Sequence, residues 1–377
     1  MKRPNVSVVI PAYNHERYVS EAIRSVLDQT FRDFELIIIN DGSTDGTETE
    51  ILKFKDDRIR YYSQSNRGLS ATLNRGIDLA RGEYFSFLPS DDLFFPEKIE
   101  TQLEEFQTGS PDLGMVFSRQ MVVDANGYEI TEDPIIEWFD VPYRTKEEIF
   151  PALFEKNFLP APTFMGRKAC FEKVGSFDES LRYCQDYDIW LRMLRVYDIR
   201  IVDRALLRYR WHGQNLTYAK TERADFERAV LLLKAIKIID FTDIFPSLKG
   251  LEKREAPERY ATSYRVLAGH LLKSGLIELV PVAYGLMEEA WKLEPSLELE
   301  KEMEDLVQRR PHFLDLRDER LGQLSQQVAD LNHRLNRLHQ LQSVLERQRE
   351  VMEQQEKEWE KKRQRLDQQE KEMIEKT

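Results

Sequence analysis

Cysteine is nearly absent from this chain. Its 377 residues hold two, Cys170 and Cys184, too few for a disulfide framework or a thiolate cluster, a usage that suits a reduced, cytoplasmic compartment. Long apolar runs are missing as well. No stretch reaches the ~18 residues that a membrane-spanning helix needs, and Asn14, His15, Glu16 and Arg17 interrupt the first apolar run before a secretory leader could form. Peripheral contact with the inner face of a membrane stays open. Surplus positive charge is lacking too. Against 67 Asp and Glu stand 55 Lys and Arg, a net charge of -12, which argues against a nucleic-acid partner because phosphates need a basic surface.

What is present suffices for a globular part. Hydrophobic residues make up 41% and aromatics 11%, enough for a sizeable core, and the length suits two or three modules. The 32% of charged residues and a mean hydropathy of -0.56 leave another part facing solvent throughout.

The first hundred residues alternate two periods. Residues 6–10 and 36–39 are continuous apolar runs, as expected of strands buried on both faces. Residues 59–62 and 84–88 read as two more strands. Between them, 18–27 puts Val19, Ala22, Ile23 and Val26 on one helical face, and 69–79 reads as a second helix. This alternation predicts an α/β fold with a mostly parallel, Rossmann-like sheet, in which ligands bind beyond the carboxyl ends of the strands. Three strands run into polar or acidic loops, Tyr13-Asn14, Asp41-Gly42-Ser43 and Ser90-Asp91-Asp92. Further on, 114–118, 121–123, 201–202 and 206–210 look extended, Asn126-Gly127 is a turn signal, and a helix is expected within 177–196.

Residues 220–310 read as helical. Around Ala268 to Gly275 and Ala283 to Pro295 they hint at one helix-turn-helix unit of tetratricopeptide type, but one copy establishes no array, and a plain helical pair is the simpler reading. From Leu314 the period is seven: Leu324, Leu331, Leu338 and Leu345 continue as Met352, Trp359, Leu366 and Met373, while the second seam turns polar after Leu335. That pattern predicts a coiled coil and a homo-oligomer formed through it. The expected modules are 1–218, 219–312 and 313–377.

The strand-end loops carry the chemistry. Ser7-Val8-Val9-Ile10-Pro11-Ala12-Tyr13-Asn14, Asn40-Asp41-Gly42-Ser43-Thr44-Asp45-Gly46-Thr47 and Ser90-Asp91-Asp92 form one part of the pattern. Asn66-Arg67-Gly68, Gly175-Ser176-Phe177-Asp178-Glu179 and Gln185-Asp186-Tyr187-Asp188-Ile189-Trp190-Leu191-Arg192 complete it. In this order and spacing the pattern resembles the family 2 glycosyltransferases of GT-A fold, over roughly residues 5–215. The resemblance implies an inverting, metal-dependent transferase that uses a nucleoside-diphosphate sugar, UDP by default, in glycan or polysaccharide synthesis. Its acceptor would be a glycan, a lipid-linked molecule or a protein.

Such a reaction needs a hold on the nucleotide, a counter-charge for the departing diphosphate and a base for the attacking hydroxyl. For the nucleotide, the resemblance assigns Asp41 to the uracil edge, with Pro11, Ala12 and Tyr13 lining the pocket and Asn66, Arg67 and Ser90 nearby. The residues alone also allow a turn in which Asp41 and Asp45 satisfy backbone N–H groups. For the charge, paired carboxylates at a strand end suit a hard cation, Mn2+ or Mg2+. The resemblance makes Asp91 the ligand, while Asp92 could instead cap the following helix. Pro89 stands where the family often has a further aspartate. His212 is a metal ligand by resemblance and a hydrogen-bonded loop residue by default, and Arg210 is positioned to face phosphate. His15 has no such setting in the sequence. For the proton, Asp186 matches the family's general base, preceded by Gln185 in place of the usual glutamate, with Asp188 expected to pair with Arg192 at helical spacing.

Two other classes compete with this reading. A nicotinamide-dependent oxidoreductase needs glycines after the first strand, and Pro11-Ala12-Tyr13-Asn14 has none. A non-catalytic nucleotide-sugar-binding scaffold, oligomerised by the coiled coil, is the alternative that Pro89 and Gln185 favour and that Asp41, Asp91 and Asp186 together oppose.

Overall fold

A computed structural model describes residues 3–132, 145–213, 222–238 and 294–309 without a break, with single residues and short runs between 136 and 290. Residues 1–301 belong to one compact unit. The expected coiled coil at 313–377 and much of the expected helical region lie outside the described residues.

One sheet of eight strands organises the chain. β1 (Val6–Ala12) and β2 (Phe34–Asp41) are buried along their whole lengths, which is why their sequences are apolar without alternation. They pair in parallel, and β3 (Ile59–Gln64) and β4 (Tyr84–Phe87) extend the parallel half on either side. β5 (Leu93–Phe94), β6 (Leu113–Asp124), β7 (Met165–Arg167) and β8 (Asp198–Trp211) complete the order β3-β2-β1-β4-β7-β6-β8-β5. β7 runs antiparallel to both β4 and β6, and β5 antiparallel to β8. The sheet is therefore mixed: β1, β2, β3, β4, β6 and β8 run in one direction, which the expectation of a mostly parallel sheet describes, and β5 and β7 run against them. Two pairs of expected short strands are each one long strand, β6 and β8, which run parallel with bulges near Ser118 and Arg119. Those bulges break the period-two pattern in the sequence.

Helices cover the sheet. α1 (Val19–Leu27) buries Val19, Ala22, Ile23 and Val26, the face its spacing predicts. α2 (Thr47–Leu52) follows β2, and α3 (Leu69–Leu79) follows β3. α3 lies so close to β1 that a Cβ at Gly76 would stand 2.7 Å from Val9 Cγ1. α4 (Lys98–Thr108) follows β5. α5 (Lys146–Leu153) opens on a capping box in which Thr145 and Glu148 satisfy each other's backbone N–H groups. In chain order α6 (Lys168–Val174) and α7 (Gln185–Leu194) lie between β7 and β8, and α8 (Glu222–Ile238) and α9 (Leu297–Arg309) follow β8. No described helix is long and apolar enough to cross a membrane.

At the amino end of the parallel strands a buried carboxylate ties four segments together. Glu35 accepts from Ser7 Oγ at 2.7 Å, Arg60 Nη1 at 2.6 Å, and Arg81 N and Nε at 2.7 and 2.9 Å. Burial opposes its charge, but the bonds from Ser7, Arg81 and Arg60 together hold the carboxyl below the ordinary glutamate range. The opposite, carboxyl end carries the loops. There the chain order reverses, since β2 and β3 lie on one side of β1 and β4 on the other. A crevice is expected at that reversal.

Candidate active site

The loop after β1 is stitched to the loop after β2. Asn14 takes a positive φ of 53°, which its short polar side chain tolerates. Its Oδ1 accepts from Thr44 N at 2.8 Å while its own N–H donates to Ser43 Oγ at 3.0 Å. His15 N donates to Thr47 Oγ1, Glu16 N to Asp45 Oδ2, and Gly46 N to Glu16 Oε2. Asp45 also accepts from Thr47 N and Oγ1, so it serves the turn, as expected of it on sequence.

Asp41, at the end of β2, is 3% exposed. Its Oδ1 accepts from Gln64 Nε2 at 2.7 Å and from Arg67 N at 2.9 Å, and its Oδ2 from Gly68 N at 2.9 Å. The carboxylate thus fastens the β3–α3 turn to β2, and Oδ2, with one bond, keeps acceptor capacity. The neighbouring Gly42 has φ +73°, and a Cβ there would stand 2.6 Å from Asn66 N. Only glycine lets the two loops approach this closely. Asn66 and Arg67 are exposed, with Arg67 Nη2 3.7 Å from Glu179 Oε2. Tyr13 is 46% exposed. Pro11 and Ala12 differ from the expectation that they line a pocket: both are buried, Ala12 within the hydrophobic core, because β1 stays covered to its last residue.

The loop after β4 brings three possible ligands together. Asp91 Oδ2 lies 3.0 Å from His212 Nε2 and its Oδ1 lies 3.9 Å from His15 Nδ1. One ligand atom from each of His15, Asp91 and His212 falls within 4.8 Å of the others. His15 Nδ1 is also 2.7 Å from the buried Ser90 Oγ. Tyr18 stacks on the His212 ring at 5.3 Å while Asp91 meets its Nε2, so the imidazole is held by two partners, and its backbone N–H donates to Asn215 Oδ1. Two imidazoles and a carboxylate fit a divalent transition metal such as Mn2+ better than Mg2+, which prefers oxygen alone. His15, set aside on sequence, is thereby drawn into the cluster. Its placement at the end of the first strand was the available signal, the same one that marked Tyr13 and Asn14.

Arg210 is a correction. It was expected to face phosphate, yet it is 2% exposed and committed inward. Its Nε donates to Asp91 O at 2.9 Å, Nη1 to Ala125 O at 3.0 Å and Nη2 to Glu21 Oε2 at 2.6 Å, with the guanidinium 4.9 Å above the Tyr18 ring. A planar fork with five donors suits this bracing of α1, the Asp91 loop and the turn after β6. Asp92 does not cap α4 either. It is buried and accepts from Arg210 N at 2.8 Å. Burial and the adjacent Asp91 push its carboxyl well above the ordinary aspartate range.

Asp186 stands in the first turn of α7. Its Oδ1 accepts from Tyr187 N at 2.8 Å and its Oδ2 from Asn157 Nδ2 at 3.1 Å. Desolvation pushes its carboxyl up to about 6, against the opposing pull of those hydrogen bonds. Burial therefore outweighs the helix N-terminus, which favours the anion. Gln185 is 8% exposed, and its Oε1 has no partner among the described residues. Asp188 pairs with Arg192, Oδ2 to Nη2 at 2.6 Å, and Arg192 also donates to Val174 O, Gly175 O and Ser176 O. Asn74, on α3, brackets Phe177 through its N–H and its carbonyl, and Ser70 Oγ donates to Leu181 O. The segment leading to Asp186 is thus fixed to the N-terminal half of α3, next to the turn that Asp41 holds.

Known proteins share this architecture. The pattern described as "Glycosyl transferase family 2" matches residues 7–175. An uncharacterized glycosyltransferase of Rickettsia typhi is 37% identical over 220 residues, 57% of this chain and 66% of that protein. Another, from Methanocaldococcus jannaschii, is 33% identical over 216 residues, 56% of this chain and 72% of that protein. The chain spans about two thirds of the length of the Rickettsia typhi relative and about a third of others from that genus. Among solved structures, S. aureus TarS 1–349 superposes with a TM-score of 0.52 at 18% identity, covering 77% of this chain and 89% of that one. The same TarS fragment has been seen in complex with UDP-GlcNAc. The low identity makes this a likeness of fold, of the GT-A kind expected from the sequence. With the sequence match at more than 30% identity across most of the archaeal relative, the conclusion is direct: the chain belongs to glycosyl transferase family 2.

Proposed function

We propose that the chain is an inverting glycosyltransferase that moves a sugar from a nucleoside-diphosphate sugar to a hydroxyl of a glycan, lipid-linked or protein acceptor. UDP is the expected nucleotide. The observation that carries the reading is the meeting of Asp91, His212 and His15 at the carboxyl end of the parallel strands, with a proton-accepting carboxylate, Asp186, supplied from the first turn of α7. Support for a UDP-sugar comes from Asp41, whose Oδ2 keeps acceptor capacity for a base N–H, and from the TarS complex with UDP-GlcNAc.

The chemistry follows from these roles. The acceptor oxygen forms a bond to the anomeric carbon while the bond from that carbon to the diphosphate oxygen breaks, and the electron pair leaves with the diphosphate. The hydroxyl proton passes to Asp186, whose carboxyl at about 6 is a better base than an ordinary aspartate and is still ionised at neutral pH. Asp91, His212 and His15 would hold Mn2+ or Mg2+, which supplies charge neutralisation to the leaving diphosphate. In this reading Tyr13, which is exposed, packs on the base or sugar, and the exposed Asn66 and Arg67 reach the nucleotide. Arg210 acts as a positioning residue beneath Asp91. Ser90 orients the His15 ring.

Two parts of the reading rest on sequence. The heptads of 313–377 support self-association through a coiled coil, and deleting 314–377 should lower the mass in light scattering while UDP binding persists. A cytoplasmic location rests on the two cysteines, too few for a disulfide framework.

A donor screen tests the function. Purified chain is offered UDP-, dTDP- and GDP-sugars with Mn2+, and nucleotide release is followed for wild type and Asp186→Asn. Turnover by wild type and its loss in the variant support the reading. A wild type that binds UDP and never turns over would support the scaffold instead.

A further inference from the structure

The helical region was expected to be a separate module after residue 218, and the family pattern ends at 175. Yet its residues grip the two segments that set Asp186. On α8, Glu227 is 7% exposed, and its Oε2 accepts from Arg182 N at 3.0 Å and Tyr183 N at 2.8 Å. Those are the residues just before the first turn of α7. Two backbone N–H groups on one buried carboxylate oxygen are charge-assisted bonds, stronger than neutral ones. Cys184 Sγ lies 3.8 Å from Ala224 O on the same helix.

The second segment carries Asn157, which donates to Asp186 Oδ2. Two residues before it, Glu155 Oε1 is 2.8 Å from His270 Nδ1 and 3.5 Å from Lys273 Nζ. Glu155 O also accepts from Arg228 Nη2, the neighbour of Glu227, at 3.5 Å. So the helical residues reach the α7 entry from one side and the Asn157 segment from another. They hold the chain just before Asp186 and the segment that carries Asn157.

We propose that these helical residues form a positioning bracket for Asp186, with Glu227 its principal member, so that the transferase half does not carry a competent base without them. The proposal rests on the reading of Asp186 as the general base. Among the described residues the bonds of Glu227 go to Arg182 N and Tyr183 N and not to the expected nucleotide loops or the Asp91 cluster, so its loss should spare donor binding. A catalytic carboxylate misplaced by about 1 Å costs on the order of a hundredfold.

The test uses the full chain with Glu227→Ala and Glu227→Asp; the second keeps the charge but withdraws the oxygen by one methylene. Hydrogen exchange is read peptide by peptide, UDP binding with Mn2+ is read by calorimetry, and kcat and KM are read with a sugar nucleotide that wild type turns over. In both variants amide exchange across 182–187 should rise at least tenfold while that of 6–80 stays at the wild-type level. UDP affinity should stay within twofold, and kcat should fall at least tenfold with donor KM held, less in Glu227→Asp. Unchanged exchange at 182–187, or UDP binding lost together with it, would overturn the bracket. So would wild-type kcat in Glu227→Ala. A wild type with no turnover on any sugar nucleotide would instead contradict the base assignment and leave the exchange result to decide whether Glu227 fixes the α7 entry.

Discussion

His212 Nε2 lies 3.0 Å from Asp91 Oδ2, although 121 residues separate them in sequence. β8 and the loop after β4 make the pairing, and His15 completes it from the end of β1. If this cluster holds the metal, replacing Asp91 removes the shared member, and replacing either imidazole leaves two ligands. Mn2+ affinity, titrated in the presence of UDP, should fall beyond detection in Asp91→Asn and roughly 10- to 100-fold in His15→Ala or His212→Ala, the range seen when groups supporting a metal site are lost. Wild-type Mn2+ affinity in His15→Ala would remove His15 from the shell.

Asp186 sets the pH dependence. With its carboxyl at about 6, kcat should rise as pH increases through that value and level off above it. Asp186→Asn should lower kcat by about 10²- to 10⁴-fold and abolish the limb. Stability should move the other way. A carboxyl raised by folding adds stability that is complete below the ordinary aspartate value and is lost as pH rises through about 6. Asp186→Asn should therefore melt above wild type at pH 8, by on the order of 1 kcal/mol since water still reaches the half-buried group, and the gap should close near pH 4. Thermal melts at the two pH values check this.

Glu35 carries the opposite sign. Its carboxyl is held low, so its contribution is present above the ordinary glutamate range and disappears as pH falls through the folded value. Removing one member of a buried ion pair costs roughly 3–5 kcal/mol. Here Glu35→Ala should fall at the low end, because the Arg81 side chain is 49% exposed. Urea unfolding should show a loss at pH 7 that shrinks in acid. Since Glu35 lies at the other end of the strands, UDP affinity should not change.

Gly42 tests the nucleotide side. Alanine there must accept φ +73° and a Cβ 2.6 Å from Asn66 N, so the β2 and β3 loops have to part. Gly42→Ala should weaken UDP binding at least tenfold, while the α7 half keeps wild-type hydrogen exchange. Binding at wild-type strength would mean that the nucleotide does not use these loops.

The first half of the fold was legible because β1 and β2 are buried on both faces and α1 and α3 are amphipathic, so period and burial agree. β6 and β8 were read in pieces because bulges near Ser118 and Arg119 interrupt their alternation. Asp91, His212 and Asp186 stood out as residue types at strand and helix ends. His15 did not, since nothing local shows that its ring meets a loop 75 residues away. Arg210 was misread for a related reason: a cation near an acidic loop looks like a phosphate ligand until its burial against Glu21 and two carbonyls is seen. The capping box at Thr145 and Glu148 was in the sequence and went unread, because neighbouring residues gave no helical period to attach it to.

The central claim is that one site uses Asp91, its two histidines and Asp41 to hold a nucleoside diphosphate with a metal. Calorimetric titration of UDP into the full chain, with Mn2+ and then with EDTA, tests it most directly. The account predicts binding that weakens at least tenfold without metal, and Mn2+ binding that strengthens by the same factor when UDP is present, as linkage requires. Equal UDP affinity with and without Mn2+, unchanged in Asp91→Asn, would contradict it.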